Sequence, residues 1–361
     1  MTDAVALNDT HARPASADTA IRTWLGCVIA LIFAMVVVGG ATRLTGSGLS
    51  ITEWKPILGA IPPLSAADWQ EAFDKYRQIP QYQLVNKGMS LAEFQFIYWW
   101  EWAHRFLGRF IGLAFAIPFI AFAVAGYIRR DLAPSLIALF ALGALQGFMG
   151  WYMVQSGLVD RVSVSQYRLA AHLGLAAIIY VAMIWVMLGV GQPARVIKRS
   201  WAWLSAAGLL AFTFVQIVLG AFVAGMKAGF AYNTWPLMDG EFIPDGLLVM
   251  QPWHLNLFEN ALTVQFNHRI AAYLLFAWAI VHALAMVRAN HPMRVSAVAL
   301  AGAVTLQGVL GIWTLVAQVP LSLGLVHQAG AFIVLAIAVY HLHGLSSARH
   351  GAGAETARAT G

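Results

Sequence analysis

Long apolar runs without Asp, Glu, Lys or Arg alternate with short polar segments along the chain. Six such runs are bounded by charged residues: Arg22 to Arg43, Arg109 to Arg129, Asp131 to Asp160, Arg168 to Arg195, Arg199 to Lys227 and Arg269 to Arg288. A seventh extends from Val295 to Ala348, and Gln318, Pro320 and Ser322 mark a turn near its middle. Because about 20 apolar residues cross a bilayer as a helix, the pattern predicts eight transmembrane helices.

The predicted fold class is an all-α integral membrane protein. The runs are continuous and rich in Ala, Leu and Gly, whereas a membrane β-barrel needs short segments of strict alternation. Of the 361 residues, 60% are hydrophobic and only 11% are charged, as expected of a chain that lies mostly in lipid. The one cysteine, Cys27, lies inside the first run and is expected to pack between helices, so the outer loops cannot form a disulfide.

The positive charges predict how the helices are oriented. The net charge is +6, which in a membrane protein reports orientation and does not indicate a nucleic-acid partner. The short connections 129–130, 195–199 and 288–294 are all basic, so we expect them and both termini to lie in the cytoplasm. The long polar segment 43–94 then lies outside.

Three motifs occur twice in the same order at nearly constant spacing. EWAHRFLGR at 101–109 is echoed by QFNHRIAAY at 265–273, and QGFMGW at 146–151 by QGVLGIW at 307–313. RLAAHLGLAAIIY, from Arg168, is echoed by GLVHQAGAFIVLA, from Gly324. Helices 1 to 4 and 5 to 8 therefore read as two copies of one four-helix unit, inserted in the same orientation.

The repeat predicts two pseudo-symmetric four-helix bundles between two tails. The predicted boundaries are 1–22 for the N-terminal tail, 23–194 for the first bundle with its outer loop 43–94, 195–346 for the second bundle and 347–361 for the C-terminal tail. Small-residue faces at 147–150 and 308–311 leave open whether helices pack there within one chain or in a homo-oligomer.

Four histidines recur in the repeat: His104 and His172 in the first half, His268 and His327 in the second. Each is expected within about two turns of the outer end of its helix. A single histidine on an apolar helix is most often a hydrogen-bonded packing residue. Two imidazoles on facing helices of a bundle can also be the axial ligands of a haem iron. Zinc is a weaker candidate, because a structural zinc site needs four grouped ligands and no cysteine is available.

Charged residues next to these histidines have two interpretations, and both stay open. Arg105 and Arg269 anchor their helices at the membrane boundary or pair with haem propionates. Glu101 precedes His104 by three residues on the same helix face, whereas Gln265 takes that position in the second half. Glu101 is either a helix-capping carboxylate or a proton acceptor and charge stabiliser beside a bound haem.

A second haem arrangement is also possible on spacing alone. His282 and His341 each follow a repeat histidine by fourteen residues, close to four helical turns, so each shares a face with it. Such pairs stack two haems across the membrane in electron-transfer cytochromes b. The first half has Pro118 and Val186 at these positions, so the arrangement would be confined to the second half.

These motifs together resemble the heme A synthase family, in the form found in proteobacteria and mitochondria. The resemblance extends over nearly the whole chain, from GGATRLTGSGLSITEWKP through EWAHR, AAHLG and FNHR to VHQAG. It implies eight transmembrane helices in two bundles, and oxidation of the C8 methyl group of haem O to the formyl group of haem A. It also implies an inner-membrane protein that works with heme O synthase and an electron acceptor not identifiable from the sequence.

The resemblance also implies roles for individual residues. His268 and His327 match the pair that binds a haem b cofactor, and His104 and His172 match the pair that holds the substrate haem. Glu101 matches the glutamate associated with catalysis. Some bacterial members carry a cysteine pair in their outer loops, and this chain has none.

Two other classes of protein remain alternatives at this point. A quinol-linked di-haem cytochrome b would keep all its haems as permanent cofactors. A transporter built from parallel repeats would use the histidines as a proton relay. The haem extracted from the purified protein separates the three.

Overall fold

The computed structural model describes residues 16–55, 57–159, 161–192 and 199–347. In these ranges it is helical without a strand, and eight helices are long and apolar enough to cross a membrane. These are α1 (Ser16–Leu44), α4 (Leu91–Val124), α5 (Ala133–Leu158), α6 (Gln166–Gly189), α7 (Trp201–Gly225), α9 (Ala261–Arg288), α10 (Arg294–Val316) and α11 (Leu321–Ser347). The numbers between them belong to short helices of the connections, among them α8 (Asn256–Glu259). The predicted fold class and the number of spans are confirmed.

The predicted ends of the chain lie largely outside the described residues. Helix α1 already begins at Ser16, inside the segment predicted as the N-terminal tail, and α11 ends at Ser347. Most of the basic connection 195–199 also lies outside the described residues.

The eight helices pack as two groups of four. Helix α1 packs against α4 and α6, and α5 packs against both α4 and α6. In the second group, α9 and α11 each pack against both α7 and α10. The groups meet where α1 contacts α11 and α6 contacts α7, with a further contact between α6 and α11. Two copies related by a two-fold axis would give this pattern of contacts, and the pseudo-symmetry itself stays a prediction.

Apolar and polar contacts join the two groups. Tyr180 packs edge-on against Phe332, with ring centroids 5.4 Å apart. Arg43, at the outer end of α1, donates to the carbonyl oxygens of Ala224 and Gly225 at 2.8 and 3.1 Å. A cation on the last carbonyls of α7 also complements that helix's dipole.

The outer segment between α1 and α4 is folded and contains two short helices, α2 (Ala66–Tyr76) and α3 (Pro80–Leu84). Ser65 and Asp68 form a capping box at the start of α2. Phe73 and Phe94 stack with ring centroids 4.9 Å apart and bring α2 onto the beginning of α4. Leu49 packs against Gly157 of α5, so the segment covers the outer end of the first group of helices.

Two expectations about the first half are wrong. Helix α4 begins at Leu91, where Ser90 and Glu93 form a capping box, so His104 lies well beyond the second turn of its helix. The aromatic stretch before His104 belongs to this helix and continues it outward. Cys27 is exposed on the surface of α1, so it does not pack between helices.

Candidate functional site

Each of the four repeat histidines lies against a glycine of a neighbouring helix. A Cβ atom added to these glycines would lie 3.1 Å from Nε2 of His104, 3.2 Å from Cε1 of His172, 3.1 Å from Cε1 of His268 and 2.8 Å from Cε1 of His327. The glycines are, in the same order, Gly39 on α1, Gly150 on α5, Gly220 on α7 and Gly311 on α10. The missing side chain is therefore what leaves room for each imidazole.

The histidines are brought together two by two. His104 and His172 are close enough for their charges to interact, and so are His268 and His327. All four side chains are partly buried among apolar helices. Each half of the chain thus has two of the four histidines near each other, and their role as iron ligands stays a prediction.

Three of the four histidines are each held by the side chain of a different glutamine. The amide nitrogen of Gln146 lies 3.2 Å from Nδ1 of His172 and donates to the backbone carbonyl of the same residue at 3.1 Å. Gln307 makes the same two contacts with His327, at 3.0 and 2.7 Å. Each glutamine thereby fixes both the ring and the backbone of a histidine on the next helix.

The third of these glutamines, Gln216, holds His268. Its amide nitrogen lies 3.1 Å from Nδ1 of the ring and 3.0 Å from the backbone oxygen. The amide oxygens of all three glutamines are buried and have no hydrogen-bond partner among the described residues. A buried acceptor without a donor is costly unless a ligand or a rearrangement satisfies it.

His104 has no such glutamine. Gln216 precedes Gly220 by four residues on α7, and the residue that precedes Gly39 by four on α1 is Met35. Its methyl carbon reaches towards Gly108, one turn beyond His104 on α4. No hydrogen bond to the His104 ring is found in the described part of the chain, so this imidazole is held by packing alone.

Glu101 is buried, with 2% of its surface exposed, and it is the centre of a hydrogen-bond network. One carboxylate oxygen accepts from the Ser50 hydroxyl and the Ile51 backbone N–H, both at 2.8 Å. The other pairs with Nη2 of Arg105 at 2.6 Å. Arg105 also donates to the backbone carbonyls of Ile51 and Glu53. The pair therefore ties the outer segment to α4 directly above His104.

The second half has the same arrangement without the negative charge. Arg269 donates to the side-chain oxygen of Gln265 at 2.8 Å and to the carbonyl of Tyr232 at 2.9 Å. The amide nitrogen of Gln265 donates to the carbonyl of Ala228 at 2.8 Å. Arg105 and Arg269 both bind groups of their own chain in this structure, and pairing with haem propionates stays a prediction.

His282 and His341 lie deeper in the second bundle and contact each other directly. Their Nε2 atoms are 2.9 Å apart, and both side chains are buried. A metal ion between two imidazoles needs about 4 Å between the nitrogens, because each metal–nitrogen bond is about 2 Å. The arrangement seen here is a hydrogen-bonded pair and leaves no room for an iron between the two rings.

The residues at the four-histidine site fit two haems. Haem needs a flat apolar slot with nitrogen ligands above and below it, and each bundle offers one imidazole pair bordered by glycines. After a half-turn of its amide group, each of these glutamines would offer its orphaned oxygen as an acceptor for the second ring nitrogen of a ligating histidine. In the described residues no group of three or more His, Cys, Asp or Glu could hold a metal ion, which disfavours zinc.

The sequence-based predictions missed the glutamines and the role of the glycines. Gln146 and Gln307 belong to the repeated motifs QGFMGW and QGVLGIW, but Gln216 lies on α7, which carries none of the repeated motifs. A signal was available in the spacing Q-x-x-x-G, which occurs on α5, α7 and α10 and places both side chains on one helix face. On α1 the same spacing reads M-x-x-x-G.

Comparison with known proteins gives a consistent assignment. A family model described as cytochrome oxidase assembly protein matches residues 22–339. A heme A synthase from Parvibaculum lavamentivorans is 58% identical over 331 residues, covering 91% of this chain and 94% of its own. Heme A synthases from Rhizobium meliloti and Bradyrhizobium diazoefficiens are each 52% identical, covering 90% and 94% of this chain and 89% and 95% of their own. The chain therefore belongs to the family that this model describes, the cytochrome oxidase assembly proteins, and these heme A synthases are its relatives.

Proposed function

We propose that the chain is a heme A synthase, which oxidises the C8 methyl group of haem O to the formyl group of haem A. The net reaction adds one water oxygen to the methyl carbon and releases four electrons and four protons. Two rounds of oxidation give a geminal diol, and loss of one water molecule leaves the aldehyde. The electrons pass to an acceptor that is a separate partner of the protein.

The observation that carries this proposal is the chemical difference between two otherwise similar sites. Both bundles contain a histidine pair, and both have a residue that joins the following arginine to an outer loop. That residue is Glu101 in the first bundle and Gln265 in the second. A protein that only carried electrons between two haems would have no need for a buried carboxylate at one of them.

Each residue near the first pair has a defined task in this proposal. His104 and His172 bind the iron of haem O and orient its methyl group. Removing hydride equivalents from that group leaves positive charge on a conjugated ring, which a nearby carboxylate stabilises. Glu101 is this carboxylate: it provides the negative charge and accepts a proton as water adds. Arg105, the Ser50 hydroxyl and the Ile51 backbone N–H hold the carboxylate in position.

The second bundle holds the cofactor. His268 and His327 bind haem b, which supplies one-electron transfer when it is bound. Arg269 either pairs with its propionates or fixes the outer loop. The protein is placed in the bacterial inner membrane with both termini in the cytoplasm, and heme O synthase supplies its substrate.

The alternatives are less well supported. A transporter would have no use for glycines that border imidazole pairs. A quinol-linked cytochrome b would require both haems to be permanent, and the similar proteins found by comparison are named heme A synthase.

Expression of the full chain in a host that makes haem O and lacks heme A synthase tests the proposal. We expect haem A in the extracted haem, identified by mass spectrometry, and none without the chain. Recovery of haem B alone, at two per chain, would indicate a cytochrome. Absence of any haem would favour transport.

A further inference from the structure

The histidine ligands are supported unequally, and this inequality follows the division of labour in the proposed function. Gln146, Gln216 and Gln307 each contact the ring and the backbone of a histidine on a neighbouring helix, and we call these two contacts a clamp. Of the four histidines, His104 lacks a clamp because Met35 occupies the corresponding position. In the second bundle both ligands are clamped. In the first bundle only His172 is clamped.

The glutamines have a specific chemical task when iron is bound. An imidazole that binds iron through Nε2 carries its proton on Nδ1 and needs an acceptor there. In the structure the amide nitrogen contacts Nδ1, and the three amide oxygens are buried without a partner in the described residues. When iron is bound, a half-turn of the amide group would bring its oxygen to Nδ1 in place of the nitrogen, with loss of the bond to the backbone carbonyl of the histidine. A hydrogen bond from Nδ1 to such an oxygen fixes the ring orientation and raises the basicity of the ligand.

A side chain of nearly equal length distinguishes the unclamped position. Methionine offers no acceptor that matches an amide oxygen, so the Nδ1–H of an iron-bound His104 gains nothing from Met35. Helix α4 also packs less closely against α5 than α9 packs against α10. The first bundle thus combines a histidine without a clamp, His104, with a less closely packed pair of helices, α4 and α5.

We propose that Gln146, Gln216 and Gln307 are positioning residues that make haem ligation permanent, and that Met35 makes His104 the ligand that releases. The inference rests on the proposed function, because it explains how one bundle exchanges substrate and product haem while the other keeps its cofactor. It assigns a role in haem retention to four residues that touch no reacting atom.

Exchanging the two side chains between the bundles tests this directly. Met35→Gln gives His104 the missing clamp, and Gln216→Met removes the clamp from His268. The readout is the transfer of each haem from the purified full-length protein to apomyoglobin, followed by extraction of what remains. We expect slower release of haem O and haem A from Met35→Gln and faster loss of haem B from Gln216→Met. Each change should be about ten- to a hundredfold.

The reduction potentials of the two haems separate a positioning role from a simple loss of folding. Removing the hydrogen bond makes imidazole a weaker donor, so Gln216→Met should raise the reduction potential of the second-bundle haem, while Met35→Gln should lower that of the first-bundle haem. Gln307→Met serves as a second variant and should act as Gln216→Met does.

The outcomes distinguish this inference from the proposed function. If the wild-type chain yields haem O or haem A beside haem B but the exchanged variants keep wild-type release rates and potentials, only the clamp is refuted. If the wild-type chain binds no haem O or haem A, the proposed function fails first. Opposite shifts in the two variants, each confined to its own bundle, would support the clamp.

Discussion

Glu101 is a buried carboxylate in the first bundle, and the neutral Gln265 takes its place in the second. Its carboxylate accepts from Ser50, Ile51 and Arg105, so it contributes to the position of the outer segment as well as to the proposed chemistry. Gln265 shows that an amide can make the corresponding bond to an arginine. Charge and position can therefore be separated by mutation.

Glu101→Gln is expected to retain both haems and to lose haem A production. The amide keeps an oxygen for Arg105 but removes the negative charge that stabilises the oxidised methyl group. Extracted haem should contain haem O or a hydroxylated intermediate in place of haem A. Ser50→Ala is the control, because it removes one of the bonds that hold the carboxylate but keeps its charge; Ile51 and Arg105 still position it, so this variant should still yield haem A. Normal haem A from Glu101→Gln would refute the catalytic role.

Gly311 and Gly308 form a matched pair of glycines on α10. A Cβ at Gly311 would lie 2.8 Å from the His327 ring, whereas no described atom lies within 4 Å of a Cβ at Gly308. Gly311→Ala should weaken haem B binding by about 1–3 kcal/mol through overpacking. The haem B content per purified chain measures this effect, and Gly308→Ala should leave it unchanged. Equal haem content in the two variants would show that the glycine does not make room for the ligand.

At the scale of the helices, a chain of hydrogen bonds crosses the inner part of the second bundle. Ser296 donates to the carbonyl of Met293, so its oxygen must accept the Nδ1–H of His341. The Nε2 of His341 then accepts from His282, whose own Nδ1 accepts from Ser205. One proton arrangement satisfies every member and joins α7, α9, α11 and α10.

Ser296→Ala should destabilise the second bundle, because it leaves the Nδ1–H of His341 buried without an acceptor. The expected loss is about 1–3 kcal/mol, measured as a lower thermal unfolding midpoint of the protein in detergent. Thr305→Ala is the control, since that hydroxyl bonds only the Ala301 carbonyl of its own helix. A midpoint that falls no further in Ser296→Ala than in the control would contradict the role given to this chain.

The helices can be predicted from the sequence more completely than the contacts between them. The runs without charges predicted all eight spans, because burying a charge in lipid is costly. The start of α4 could not be predicted from the absence of charges, because the helix begins at the Ser90–Glu93 capping box, inside the charged segment that precedes the apolar run. The Gln216–His268 contact joins residues far apart in sequence, and only the Q-x-x-x-G spacing hinted at it.

At the scale of the whole molecule, the two groups of helices share one contact pattern and keep only a few side chains in common. His104, His172, His268 and His327 could be predicted as a group because duplication repeats their surroundings. The support of each histidine could not, since it depends on which side chain of a neighbouring helix reaches Nδ1. In this proposal, duplication accounts for the architecture, and substitutions such as Met35 for glutamine account for the difference in function between the two halves.

The orientation of the molecule can be tested with single cysteines in a Cys27→Ser background. Gln70→Cys lies on the outer segment, and Ala289→Cys lies between α9 and α10 beside Arg288; both positions are exposed. Because basic connections stay in the cytoplasm, an impermeant maleimide should label Gln70→Cys in intact spheroplasts and Ala289→Cys only after lysis. Labelling in the reverse order would invert the proposed topology.

The division of labour between the bundles is tested most directly by the haem content of two variants, His104→Ala and His268→Ala. Haem extracted from each purified full-length protein is separated and quantified as haem B, haem O and haem A. The proposed function predicts that His104→Ala loses haem O and haem A but keeps haem B, and that His268→Ala loses haem B. Loss of the same haem from both variants, or of none from either, would contradict it.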